Sequence, residues 1–379
     1  MIADHHKTMK KRNFRPLYMA LGFFVVFAGF IYLLTRPSAE SLAIDDLKNA
    51  GNMTDVQASW DKYKNELGDD EAYVTEVKNK LISFHLTDQQ TQACLAWLPK
   101  PPESLNLIVV PDLSGRINDE TNNPGQISND TLLLNQVWRS FESVSRLKMN
   151  SGDRLMVDVA GGNQAAGQFR SVADQLIFDL SEFKDKSNKL FFEARHDQFQ
   201  KQVAELYHLA QQNPQGADYW SYFNHDLKRN IRPSTLFTSY RNLLIILTDG
   251  YLEAQTKEAT GTALYTGSYG QRLAVFNKLR TGYSITDAVA DITPIMDCAD
   301  HFKDLEVLEL EVHSRHSISV QEPRDPGTPR DFDILRKLWT DWFKKLEIKN
   351  AGEDFFNERL DATELSRQKI KDFIQGKRP

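Results

Sequence analysis

The stretch Leu105–Arg116, LNLIVVPDLSGR, decides the fold. Its opening residues are apolar apart from Asn106, as in a central parallel strand buried on both faces. Just past that strand come a carboxylate at Asp112, a hydroxyl at Ser114 and a guanidinium at Arg116. Asn242–Leu247 (NLLIIL) repeats the pattern and runs into Thr248-Asp249-Gly250. Arg154–Ala160 (RLMVDVA), Gln175–Leu180 (QLIFDL) and Leu305–Val312 (LEVLELEV) read as further strands. The short link between Ala160 and Gln175 suits an antiparallel hairpin. Helical spacing runs through Leu133, Leu134, Val137, Trp138, Phe141 and Val144, again over Phe199–Leu209, and again through Leu335, Leu338, Trp339, Trp342 and Leu346. Alternating strands and helices predict an α/β domain with a doubly wound, mostly parallel, Rossmann-like sheet. Such sheets bind ligands outside the carboxyl ends of their strands, where Asp112 and Asp249 both stand.

Outward from that domain, the chain of 379 residues is 41% hydrophobic and 26% charged, a globular composition. Its net charge of -6 gives no general attraction for nucleic acid. Leu17–Thr35 (LYMALGFFVVFAGFIYLLT) carries no charge over 19 residues. As a helix it spans about 28 Å, close to a bilayer core of about 30 Å. Lys7, Lys10, Lys11, Arg12 and Arg15 precede it and only Arg36 follows closely, which predicts a cytoplasmic N-terminus. No small-x-small cleavage site precedes Arg36, so an uncleaved anchor is expected. The expected organisation is a cytoplasmic head (1–16), a transmembrane helix (17–35), a helical stalk and linker (36–103), the α/β domain (104–350) and a charged tail (351–379). Within the stalk, Trp60, Tyr63 and Leu67, and then Val74, Val77 and Leu81, have helical spacing and predict two or three helices. In the tail, Thr363–Ile374 reads as a short surface helix. The protein is thus expected in the inner membrane of a bacterial envelope, with its C-terminal domain periplasmic or extracellular.

From about Ser104 to Asn350, the sequence resembles the von Willebrand factor A family. The likeness rests on the order of elements and on Asp112-Leu113-Ser114, Thr248-Asp249-Gly250, and Asp218, which lies 31 residues before Asp249. The resemblance implies a doubly wound sheet with one antiparallel edge strand. It also implies a metal-ion-dependent adhesion site: an Asp-x-Ser-x-Ser motif after the first strand, a threonine from a middle loop and an aspartate after the fourth strand. In that family the ion, usually magnesium, leaves one position open for a partner's carboxylate. This chain departs twice, with Arg116 in place of the second serine and Asp218 in place of the threonine.

The chemistry of the residues leaves three arrangements open. Asp112, Ser114, Asp218 and Asp249 offer the hard oxygen donors that magnesium takes. Arg116 repels a dication, and could instead fork onto Asp218 or Asp249 as an ion pair. The same residues could simply cap strand ends and helix starts. Functionally, a membrane-anchored module docking a protein partner over this edge is expected. A metal-dependent hydrolase and a structural membrane-complex component with a vestigial site are the alternatives. His313 and His316 read as surface-loop residues, Cys298 as a buried thiol, Gly161-Gly162 as a turn, and Trp339 and Trp342 as sheet-packing core. Thr256–Gly270 reads as a loop overhanging the site, serving recognition or an ordinary insertion. Spacing leaves a Cys94–Cys298 bridge open.

Overall fold

The computed structural model describes residues 37–120, 124–148, 151–160, 167–183, 187–214, 217–251, 298–313, 331–351, 356–358 and 364–377. The apolar span 17–35, Gly161-Gly162, Thr256–Gly270 and His316 lie outside the described residues. Among the described residues no helix is long and apolar enough to cross a membrane. The chain divides into two units, with the boundary between Lys100 and Pro101.

In the first unit the described residues form four helices: α1 (Ala39–Asn49), α2 (Met53–Leu67), α3 (Glu71–Ile82) and α4 (Asp88–Leu95). Each begins on a polar side chain that accepts an orphan backbone N–H: Ser38, Asn52, Asp70 and Thr87. Thr87 and Gln90 complete a capping box. Trp60 and Tyr73 stack at 6.0 Å beside the buried Val56, Val77 and Leu81. The helices outnumber the two or three expected.

The second unit is built on a six-stranded sheet in the order β3-β2-β1-β4-β5-β6. Its strands are β1 (Glu103–Pro111), β2 (Arg154–Val157), β3 (Ile177–Asp179), β4 (Ser239–Leu247), β5 (Leu305–Val312) and β6 (Phe356–Glu358). All neighbours are parallel except β2 and β3, so β3 is an antiparallel edge strand. The β2–β3 link is no simple hairpin, since it contains helix α6 (Gln168–Asp174). Side chains of β1 alternate between two cores. Ile108 and Val110 join Leu244, Ile246, Tyr219, Trp339 and Trp342 on one face. Leu107 and Val109 join Leu243, Ile245, Trp138 and Leu206 on the other. Helices therefore cover both faces: α5 (Gln126–Ser145) and α7 (Asn188–Gln212) on the second, a helical segment 219–230 (α8) and α9 (Asp331–Lys345) on the first. A turn of π-helix, Tyr222–Asp226, interrupts α8. Trp339 and Trp342 are core residues, and Cys94 and Cys298 are buried thiols, neither of them in a disulfide.

The domain does not end at residue 350. Strand β6 extends the sheet past β5, and helix α10 (Glu364–Ile374) buries Ile370, Phe373 and Ile374 against the second face. Arg241 holds the end of α10, donating to the carbonyls of Phe373 and Ile374 at 2.9 Å while paired with Glu306. These contacts satisfy carbonyls that a helix terminus leaves orphaned. The short helix expected at 363–374 in the charged tail is present as α10, and its sparse apolar residues share one buried stripe. Phe373→Ala is expected to cost about 3–5 kcal/mol in urea unfolding of the full chain. An unchanged midpoint would mean that α10 contributes nothing to the fold.

Candidate functional site

β1 and β4 are adjacent and in register to the pair Pro111 and Leu247, so both strands end at one level. The strand order reverses between them, the place where open α/β sheets open a crevice. Asp112 and Thr248-Asp249 leave the sheet there side by side. The Asp112 N–H donates to Leu247 O at 2.8 Å, and Thr248 Oγ1 donates to Asp112 Oδ2 at 3.1 Å. Asp112 Oδ1 accepts the Ser114 N–H at 2.9 Å. Ser114 in turn caps a short 3-10 turn, Gly115–Asn118, by accepting the Arg116 N–H.

That turn sends the Arg116 side chain inward, where none of it is exposed. Its Nε donates to Asp112 O, and its Nη2 to Leu247 O, both at 3.0 Å. Nη2 also pairs with Asp130 Oδ2 at 2.8 Å, and Nε stands 3.5 Å from Asp112 Oδ2. Arg116 therefore pairs with Asp130 and Asp112, a different choice of carboxylates from the Asp218 or Asp249 of the ion-pair arrangement left open by the sequence. Asp130, on α5, also accepts from Gln126 at 2.7 Å and from the Tyr207 hydroxyl at 2.9 Å. Burial alone would lower the Arg116 pKa, but Asp130 and then Asp112 hold it above its ordinary value. Burial pushes the Asp130 carboxyl up, opposed by Arg116, Gln126 and Tyr207.

Two further expected ligands accept hydrogen bonds within their own turns. Asp218 caps α8, accepting the Ser221 N–H at 2.9 Å and its hydroxyl at 2.8 Å. Asp249 accepts the Tyr251 N–H at 3.2 Å. Asp112, Ser114, Asp218 and Asp249 are 2%, 5%, 0% and 0% exposed, so they shape the edge from beneath and do not form its outer surface. Gly250 follows with φ at +90°, and a Cβ there would lie 2.9 Å from Val312 Cγ1, so the turn needs glycine. Among the described residues, no three or more His, Cys, Asp or Glu side chains gather to hold a metal ion.

Besides Asp130, Glu309 and Glu311 at this edge escaped sequence reasoning, and His313 was misread. Glu309 on β5 is fully buried, and neither carboxylate oxygen has a hydrogen-bond partner among the described residues. Burial, then the charge of Asp249, push its carboxyl well above the ordinary value. Glu311, with φ at +74°, accepts from Asn129 of α5. His313 is buried and not a surface-loop residue; its Nδ1 lies 2.7 Å from Glu311 O. The available signal was misplaced polarity: Gln126, Asn129 and Asp130 fall on the apolar register of Leu133, Leu134 and Val137, and Glu309 falls inside a buried strand.

Glu309 makes stability depend on pH. Its folded pKa lies above the unfolded value of 4.5, so the native state keeps a proton that the unfolded chain releases. Stability should therefore fall as pH rises above that value, by up to about 1.4 kcal/mol per pH unit. Glu309→Gln removes this loss. Its advantage over the wild type is expected to grow as pH rises above the unfolded value of 4.5 and to vanish below it. A difference in urea midpoint that does not vary with pH would contradict a buried, neutral Glu309.

Comparison with protein-family models gives no match for this chain, and comparison with curated proteins gives none.

Proposed function

We propose that this chain is a membrane-anchored binding module of the von Willebrand factor A type, docking a protein partner over the carboxyl-terminal edge of its sheet. The observation that carries this is the meeting of the Asp112 and Thr248-Asp249 turns at the switch point, joined by the Thr248–Asp112 hydrogen bond of 3.1 Å. Anchoring is supported by the uncharged span Leu17–Thr35 and the five basic residues before it, which favour a cytoplasmic N-terminus and an exported domain. Carboxylates committed to backbone N–H and hydroxyl donors hold loops in place and are poorly placed to activate water, which favours docking over hydrolysis. Asp112, Ser114, Asp218 and Asp249 then act by fixing the turns above them, which a partner would meet first.

Gly115 offers a direct test. It is exposed at the crest of the Asp112 turn, and a Cβ added there meets nothing within 4 Å. A photo-crosslinking residue at Gly115 is expected to trap a protein partner in cells while leaving the melting temperature unchanged. The same group at Glu103, exposed at the opposite end of β1, should trap none. Equal trapping at both positions, or none at Gly115, would refute docking at this edge. A reporter fused after Pro379 should be active only outside the cytoplasm, and a cytoplasmic reporter would overturn the topology.

A further inference from the structure

We infer that the Arg116 guanidinium is the resident cation of this edge, and that the edge needs no divalent ion, contrary to what the resemblance implies. The inference concerns the same edge as the docking reading, and relies on it only for what the edge is for. A divalent ion needs several hard oxygens converging on one point. Here Asp112 has one oxygen on the Ser114 N–H and the other on the Thr248 hydroxyl, while Asp218 has both on Ser221. The position that supplies a ligand hydroxyl in the family motif supplies instead a permanent positive charge. That charge does what a bound ion would do: it joins the carbonyl ends of β1 and β4 and neutralises carboxylates from two elements. Arg116 Nη1, also buried, has no hydrogen-bond partner among the described residues, so the side of the guanidinium that remains presents another donor and not a ligand oxygen. A dication beside Asp112 would face this charge across a few ångströms.

The test is to titrate Mn2+ into the full chain in detergent, following free Mn2+ by electron paramagnetic resonance, and to record melting in Mg2+ and in EDTA. The wild type is expected to leave Mn2+ free and to melt identically in both. Mn2+ bound near one per chain, with a raised melting temperature, and both lost in Asp112→Asn, would overturn the inference. Mn2+ retained in Asp112→Asn lies elsewhere and leaves it standing. Arg116→Met is expected to lower the melting temperature, and Arg116→Lys to lower it less, since an ammonium keeps the charge but not the planar fork. Arg116→Met as stable as the wild type would also overturn it. Crosslinking at Gly115 reports on docking separately, so a metal-bound edge that still docks would defeat this inference alone.

Discussion

The buried ion pair between Arg116 and Asp130 is the interaction on which the carboxyl-terminal edge depends. Two ions removed from water lose several kcal/mol of hydration each, and recover it only if their other hydrogen bonds are made. Most of them are made here. Asp130 accepts from Arg116, Gln126 and Tyr207, and Arg116 donates to two strand-end carbonyls. One pair therefore ties together β1, β4, α5 and α7. It also sets the electrostatics of the edge: a dication about 4 Å from a guanidinium is opposed by about 8 kcal/mol at an effective dielectric of 20.

The sheet makes this arrangement possible. Parallel strands buried on both faces cannot shift register without moving apolar side chains into the wrong layer. The register from Glu103 with Ser239 to Pro111 with Leu247 thus brings Asp112 level with Thr248. The edge also carries an opposing burden, because Glu309 and Asp249 lie close enough to resist ionising together.

How far the sequence alone reached follows from how each signal arises. The apolar runs of β1 and β4 and the wide stripe of α9 are long and unbroken, so strands, helices and the Asp112 and Asp249 turns could be read directly. Strand β6 was hidden, since three strand residues carry little pattern; helix α10 was legible over 363–374, but the burial of its Ile370, Phe373 and Ile374 was not, because charged residues dilute that stripe. Helix α6 was hidden because seven residues between two strands look like a link. At the site, Arg116 was legible as the deciding residue, but its destination was not. The partner, Asp130, lies 14 residues further on and meets it only because the 3-10 turn and the packing of α5 bring them together. Long-range polar pairing has no local periodicity, so residue spacing could not reveal it.

The central claim is that Arg116 and Asp130 act as one unit that holds the edge. A double-mutant cycle in urea, using Arg116→Met, Asp130→Leu and the two combined, measures this directly. Each single change strands a buried charge and should cost about 3–5 kcal/mol, while the double change should cost no more than either single. Costs that simply add would contradict the claim, showing that the two residues stabilise the protein independently.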